Sequence, residues 1–239
     1  MTIPRILHQT YASLAELPTE LHENRERIRA LNPGWTLKFY DDDAVEAYIA
    51  KHYEANILAL YQRINPRYGA VRADLFRYLL MYREGGVYLD IKSAMDRPLD
   101  DVLLSNERYV LSFWPPAKGE PHKFWGNHPE LLSHDLGEFQ QWHLIAAPGH
   151  MFLKAVINNV LTNIMRYRVS SHGVGRTGVL RISGPIAYTL AITPLLHKAP
   201  HRMVANHWEI GLRYSVLKQH GTNLRPHYST LSEPIVIHP

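Results

Sequence analysis

The sequence predicts an α/β fold, and two features of its pattern point to that fold. Short apolar segments typical of β-strands alternate with longer amphipathic segments typical of helices, which favours parallel strand pairing through helical crossovers. The 239 residues can also bury one sizeable core, without an internal repeat or a low-complexity linker. We therefore expect a single domain over residues 1–239, with a mostly parallel, twisted sheet flanked by helices.

The order of the elements follows from apolar periodicity and from helix start and stop signals. The predicted strands are residues 3–7, 35–40, 87–91, 109–113 and 143–147. The predicted helices begin at Pro18, Asp43, Ala70, Met151 and Pro185. The segment 173–178 matches the glycine spacing of a dinucleotide site, but it follows polar residues instead of a buried strand, so we expect a loop there.

Three adjacent carboxylates, Asp41, Asp42 and Asp43, invite either a metal site or a helix cap. Asp43 and Glu46 have the spacing of a capping box, and the helix dipole favours acidic residues at a helix N-terminus. We therefore expect a cap at this point.

Composition excludes several classes of site and partner. The chain has no cysteine, which excludes disulfides and thiolate metal sites. No basic run or nucleic-acid motif occurs, so no nucleic-acid partner is expected. The N-terminal residues lack a signal sequence, and no window reaches the roughly 18 apolar residues of a membrane span. We expect a cytoplasmic protein, and its net charge of +4 would suit peripheral contact with the inner face of a membrane.

The predicted helix from Ala70 places a carboxylate beside its core-facing stripe. Asp74 lies at the edge of the apolar positions, where burial demands a partner, and Arg77 follows one turn later. A plain i,i+3 salt bridge and a ligand site are both consistent with this spacing.

The strand predicted next to this helix carries polar groups on one face. Tyr88, Asp90 and Lys92 alternate with apolar residues, so strand geometry puts them on the same side. An exposed edge strand would alternate in the same way, but open α/β sheets build ligand crevices at the carboxyl ends of strands.

These residues together resemble a known family. The pattern Asp74-x-x-Arg77 followed by Gly85-Gly86-x-Tyr88-x-Asp90 is similar to the sugar-binding region of the Och1-like, DXD-motif glycosyltransferases, which are related to α-1,4-galactosyltransferases and clostridial glucosylating toxins. Further likenesses occur in the family's order at residues 3–11, 32–35, 147–150 and 183–185.

The resemblance implies a GT-A fold and retaining transfer of a hexose from a nucleoside diphosphate-sugar, with UDP favoured over GDP. It assigns catalytic roles to Asp74 and Asp90, in which these acids orient and stabilise rather than attack. It places Asp74 and Arg77 on the donor hexose, and Asp90 on the ribose, the sugar or a metal. It places Tyr88 beside the nucleotide and Tyr11 against the base. It adds three further substrate-binding positions, which are Thr10, His150 and Gly184.

One residue departs from the family pattern. The Asp-x-Asp motif supplies two carboxylates to a divalent cation, whereas the second acid here is Lys92. Three interpretations stay open. Asp90 holds Mn²⁺ or Mg²⁺ together with phosphate and a remote ligand such as His227; Lys92 itself pairs with the diphosphate and no metal is needed; or the protein binds nucleotide-sugar or carbohydrate without turnover.

A phosphatase with an aspartyl nucleophile at Asp90 is disfavoured, because such enzymes need a second acid two residues later. The irregular segment 114–139 is long enough to be a functional loop, and we expect it to face the acceptor. That acceptor is expected to be a glycan or a lipid-linked glycan, as in the synthesis of a microbial surface polysaccharide or capsule.

Overall fold

A central six-stranded sheet organises the chain. The computed structural model describes residues 2–114, 125–217 and 228–237. Its strands are β1 (Ile6–Thr10), β2 (Thr36–Tyr40), β3 (Gly86–Leu89), β4 (Ala94–Met95), β5 (Tyr109–Ser112), β6 (His143–Ala146), β7 (Arg202–Val204) and β8 (Leu212–Arg213). Its α-helices are α1 (Thr19–Leu31), α2 (Asp42–His52), α3 (Ala55–Gln62), α4 (Gly69–Glu84), α5 (Leu99–Val102), α6 (Met151–Met165), α7 (Val169–His172), α8 (Gly175–Ile182) and α9 (Pro185–Ile192).

The sheet has the order β2-β1-β3-β6-β5-β7, and β4 pairs with β8 in a separate ribbon. Among the six described strands of this sheet, only β6 runs antiparallel to its neighbours, so the sheet is mostly parallel, as predicted. Leu89 at the end of β3 pairs with His143 at the start of β6. The carboxyl ends of β1 and β3 and the amino end of β6 therefore meet at one edge of the sheet.

Two apolar layers cover the sheet. One face packs against α4, α6, α8 and α9, and its core includes Phe76, Leu79 and Phe152. The other face packs against α1 and the β4-β8 ribbon, and it includes Ile28 and Val87. Burial on both faces explains why the central strands read as short apolar runs.

The first strand lies three residues later than predicted, at Ile6–Thr10 instead of 3–7. Its register with β2 runs from the Ile6–Thr36 pair to the Thr10–Tyr40 pair. The polar side chain of His8 did not indicate a strand in the sequence. In the structure His8 is fully buried, and its two ring nitrogens bond the Gly85 carbonyl and the Tyr40 hydroxyl. A buried polar side chain with both partners satisfied costs little.

Helix α4 passes directly into β3 through two glycines. Gly85 and Gly86 both have positive φ, at 66° and 97°. A Cβ on Gly86 would lie 2.4 Å from the carbonyl oxygen of Ile6 in the neighbouring strand. Only glycine fits this turn, which fixes α4 tightly against the start of β3.

Two local predictions were wrong in detail. Asp41, not Asp43, is the N-cap of α2, because its Oδ1 accepts the Ala44 amide at 2.8 Å. The segment around 173–178 is not wholly a loop, since α8 begins at Gly175. A Cβ on Gly178 would lie 2.5 Å from Ile235, so this glycine permits close helix packing.

One helical stretch has the length and apolar composition of a membrane span, which the sequence pattern had not indicated. It runs from Gly175 to Lys198, and 56% of its most apolar window is buried inside the protein. It comprises α8, α9 and a following 3₁₀ turn, broken at Ser183 and Gly184. Val179, Ile182 and Ile192 of this stretch lie in the apolar core.

Candidate active site

Topology brings several predicted site residues to one edge of the sheet. Asp90 comes directly after β3, and its amide donates to the Trp142 carbonyl at 2.9 Å, just ahead of β6. Thr10 ends β1 beside it, and Tyr11 follows. This edge is where parallel strands present ligand-binding side chains in open α/β sheets.

Arg77 lies between two carboxylates at this edge. Its Nη2 is 3.2 Å from Asp74 Oδ1, and its Nη1 is 3.0 Å from Asp90 Oδ1. Its guanidinium carbon also stands 4.8 Å from the centre of the Tyr88 ring. We call Asp74, Arg77 and Asp90 the charged trio. The i,i+3 pair within α4 is thus only half of an arrangement that links the helix to the end of β3.

The members of the trio differ in exposure. The side chains of Arg77 and Asp74 are 6% and 4% exposed, whereas that of Asp90 is 23% exposed. Two carboxylates and one guanidinium leave the trio with one net negative charge when all are ionised. Asp90 is therefore the member that a ligand can reach, and the other two hold it in place.

Two residues that the sequence pattern did not assign complete the surroundings of Asp74. Ser183 donates to Asp74 Oδ2 at 2.7 Å, and Gln141 donates to Oδ1 at 3.3 Å. Arg77 Nη1 in turn donates to the backbone and side-chain oxygens of Gln141, both at 2.9 Å. Ser183 lay in a stretch that resembles the family, whereas no pattern marked Gln141, which sits in a connection before β6.

Burial sets the acid–base properties of the trio. Burial raises the pKa of Asp74 to about 6, although Arg77 and the Ser183 hydroxyl oppose this change. Burial lowers the pKa of Arg77, but Asp90 outweighs it, with help from Tyr88 and Asp74, so the net pKa lies above its ordinary value. Arg77 is therefore a permanent cation in the site.

Lys92 does not continue the strand alternation that the sequence predicted. Strand β3 ends at Leu89, and the Ser93 amide bonds the Asp90 carbonyl at 2.9 Å, so Lys92 lies in a turn. Its Nζ donates to the Tyr214 hydroxyl at 3.0 Å and stands 4.3 Å from the centre of that ring. Tyr214 thus holds the Lys92 ammonium, and Lys92 follows Asp90 by two residues in the chain.

The remaining predicted substrate-binding residues divide between two regions. Tyr11 is half-buried beside Ile91 at the site edge, and the Thr10 hydroxyl donates to the Tyr40 carbonyl at 2.8 Å. Gly184 follows Ser183 as the N-cap of α9, where a Cβ would lie 2.9 Å from Leu180 Cα. Their contacts with substrate stay predictions.

His150 is not brought to this edge. It follows β6, whose end pairs with the start of β3, so it lies at the opposite edge of the sheet from Asp90. Its Nδ1 accepts the Phe152 amide at 3.3 Å and caps α6. Burial lowers its pKa to about 4. A neutral imidazole that caps α6 explains why a histidine is buried at position 150.

The predicted metal ligands receive limited support from the described ranges. Asp90 offers one carboxylate, whose Oδ1 already pairs with Arg77, and no three His, Asp or Glu side chains converge anywhere in residues 2–114, 125–217 and 228–237. His227 lies outside the described residues. The described side chains alone therefore do not fit a divalent cation, which would also need oxygens from phosphate and water.

Comparison with known proteins matches part of this chain to the model of one family. Residues 18–110 match the model described as glycosyltransferase sugar-binding region containing DXD motif. An uncharacterized glycosyltransferase, L373, of Acanthamoeba polyphaga mimivirus is 31% identical over 102 residues, which is 42% of this chain and 40% of that protein. Mannosyl phosphorylinositol ceramide synthase SUR1 of Saccharomyces cerevisiae is 32% identical over 101 residues, which is 42% of this chain and 25% of that protein.

A solved structure shares the fold over most of the chain. The PaToxG glycosyltransferase superimposes with a TM-score of 0.57 at 15% identity, covering 82% of this chain and 71% of that one. The chain spans less than half the length of the two curated relatives named above. The matched family region contains the whole charged trio and Lys92.

Proposed function

We propose that this chain transfers a hexose from a nucleoside diphosphate-sugar to a glycan or lipid-linked acceptor with retention of configuration, because its residues 18–110 match the glycosyltransferase sugar-binding region that contains a DXD motif. The charged trio carries this proposal. Arg77 joins a buried carboxylate on α4 to a reachable carboxylate at the end of β3. Such a rigid, charged end of a parallel strand suits recognition of sugar hydroxyls.

Asp90 is the group that meets the donor sugar. Arg77 holds its Oδ1, and Oδ2 has no hydrogen-bond partner among residues 2–114, 125–217 and 228–237. A free carboxylate oxygen accepts a hydroxyl hydrogen bond, and the ion pair keeps it aimed. Asp74 instead uses both oxygens within the protein, so it positions Arg77.

The chemistry needs charge stabilisation more than a nucleophile. The departing diphosphate is an anion, and Lys92 brings an ammonium two residues from Asp90. That ammonium pairs with phosphate oxygens and supports departure of the nucleoside diphosphate. The full engagement of Asp74 argues against its attack on the sugar. We propose a front-face reaction, in which Asp90 orients the sugar as a hydrogen-bond acceptor and forms no covalent intermediate.

Mannose is the hexose that the relatives support. Several are mannosyltransferases by name, including initiation-specific alpha-1,6-mannosyltransferase of Saccharomyces cerevisiae and inositol phosphoceramide mannosyltransferase 3 of Schizosaccharomyces pombe. The second name also supports a lipid-linked acceptor. We place such a reaction at the cytoplasmic face of a membrane, where a net charge of +4 favours contact with anionic lipid.

A thermal-shift screen with UDP- and GDP-linked hexoses, with and without Mn²⁺, tests the proposal. At least one nucleotide-sugar should raise the melting temperature of the wild type, and the gain should be lost in Asp90→Asn. Stabilisation by none of them would contradict a nucleotide-sugar site.

The second candidate is a nucleotide-sugar or carbohydrate-binding protein without turnover, which the lysine at position 92 favours. Donor binding without release of nucleoside diphosphate, even with acceptor present, would support this candidate over the enzyme.

A further inference from the structure

A small pocket opens beside an aromatic cluster on the Lys92 side of the site. Its volume is about 60 Å³, and Trp114, Trp125, Asn127 and Asp135 contribute to its lining. We propose that this pocket and the exposed ring of Trp125 bind one pyranose ring of the acceptor. This inference rests on the proposed transferase function and assigns its acceptor side.

A buried carboxylate, Glu138, holds the residues around the pocket in place. Glu138 is 8% exposed, and its two oxygens accept the Trp114 indole N–H at 2.7 Å and bond the His128 Nε2 at 2.6 Å. The Glu138 amide also donates to the Gly126 carbonyl at 2.9 Å. A Cβ on Gly126 would lie 2.8 Å from Glu138 Cγ, so this glycine allows the close approach. The pocket is therefore preformed, which reduces the entropic cost of binding.

Trp125 presents an aromatic surface at the rim. Its side chain is 41% exposed although it packs edge-on against Trp114 and Tyr214, with ring centres 5.0 and 5.6 Å apart. A pyranose has apolar C–H faces and a belt of hydroxyls. The ring of Trp125 suits a C–H face, while Asn127 and Asp135 offer donors and acceptors to hydroxyls.

Charge and size select a neutral sugar over other ligands. Asp135 brings a carboxylate to the described lining, and this group repels phosphate and accepts hydrogen bonds from sugar hydroxyls. The volume is well below the 300 Å³ or more of typical sites for whole cofactors. A hydroxymethyl or hydroxyl group of a sugar resting on Trp125 fits such a notch.

The Tyr214 side chain lies between this pocket and Lys92 on the donor side. Tyr214 contacts Trp125, and its hydroxyl receives the Lys92 hydrogen bond at 3.0 Å. Transfer requires an acceptor hydroxyl beside the donor sugar, so an acceptor subsite must border the group that holds the diphosphate. The Lys92–Tyr214–Trp125 contact chain supplies that border.

Saturation-transfer NMR with methyl α- and β-pyranosides of mannose, glucose and galactose tests the assignment. Trp125→Ala is compared with Trp208→Ala, because Trp208 is 36% exposed but does not line the pocket. Asn127→Ala is a milder second variant at an exposed position. The melting temperature of each variant, with and without UDP and GDP, monitors the fold and the donor side separately.

At least one methyl pyranoside should bind the wild type and Trp208→Ala with equal affinity. Its affinity for Trp125→Ala should be lower by about tenfold or more, and its affinity for Asn127→Ala should be severalfold lower. Binding of no methyl pyranoside, or equal binding to wild type and Trp125→Ala, overturns the subsite. Loss of pyranoside binding by Trp125→Ala supports it even if no nucleoside diphosphate binds, which would count against the donor site alone.

Discussion

Ser183 donates a 2.7 Å hydrogen bond to Asp74 from a position 109 residues further along the chain. The Ser183 carbonyl also accepts the Tyr78 hydroxyl at 2.8 Å, so both ends of this residue are tied to α4. The start of α9 thereby orients the buried acid that holds Arg77. The site depends on a contact between two distant helices, and not on the matched motif alone.

Removal of the Ser183 hydroxyl should weaken both stability and turnover. Ser183→Ala leaves Asp74 Oδ2 buried without its donor, which costs about 1–3 kcal/mol in the free energy of unfolding. Urea unfolding and donor turnover measure the two effects. Tyr109→Phe is the control, because it removes a buried hydroxyl whose one hydrogen-bond partner within the described part of the chain is Tyr188, at 2.7 Å. It should lose stability with unchanged turnover; equal turnover in both variants would count against positioning of Asp74.

The titration of Asp74 should make stability fall as pH rises. Its folded pKa of about 6 lies above the ordinary 3.8, so the folded state binds the proton more tightly than the unfolded state. The stabilising contribution is complete below the unfolded pKa and is lost as pH rises through 6. Relative to Asp74→Asn, which cannot titrate, the wild type should lose about 2 kcal/mol of unfolding free energy between pH 4 and 7. A difference that is constant over this range would contradict the burial of an ionisable Asp74.

The titration of the buried His150 should make stability fall as pH decreases, which is opposite to the effect of Asp74. Burial lowers its pKa from 6.5 to about 4, so its stabilising contribution is present above the unfolded pKa and is lost as pH falls through 4. His150→Asn keeps a side chain that can cap α6 but does not titrate. Urea unfolding from pH 7 to pH 4 should show an acid loss about 3 kcal/mol smaller in this variant. An identical acid loss would mean that His150 is not buried as a neutral ring.

Lys92 should govern the response of turnover to metal. The wild type should keep most of its activity in chelator, because Lys92 supplies a cation where the family motif has its second acid. Lys92→Met should lower the rate of nucleoside diphosphate release by about 100-fold, the size of loss seen when one charge-stabilising group is removed. Tyr214→Phe, which keeps the ring but loses the 3.0 Å hydrogen bond, should have a smaller effect.

Lys92→Asp restores the Asp-x-Asp spacing and should make the remaining turnover depend on Mn²⁺. Complete loss of wild-type activity in chelator, with recovery on adding Mn²⁺, would refute the role of Lys92.

Local signals predicted most of the fold. The apolar stripe of α4 predicted its start within one residue, since the helix begins at Gly69 and the predicted start is Ala70. The local signals failed where tertiary contacts override secondary-structure propensity. His8 belongs to a strand because Gly85 and Tyr40 satisfy its ring, and neither partner is near it in sequence.

The site was predictable where its residues share one motif. Asp74, Arg77 and Asp90 follow from helix spacing, a strand end and the family pattern, and the structure brings them together. Gln141 carried no signal, because its role comes from the antiparallel return of β6 beside β3. His150 shared a sequence likeness with the family but lies at the far edge of the sheet.

Release of nucleoside diphosphate from UDP- and GDP-mannose tests the central claim most directly. Asp90→Asn is compared with Asp96→Asn, a nearby exposed acid whose partner is Arg213 at 3.1 Å. The wild type and Asp96→Asn should release nucleoside diphosphate from at least one donor at equal rates, and Asp90→Asn should be slower by about 100-fold or more. Equal release by Asp90→Asn and the wild type would contradict the assignment of the donor site to the charged trio.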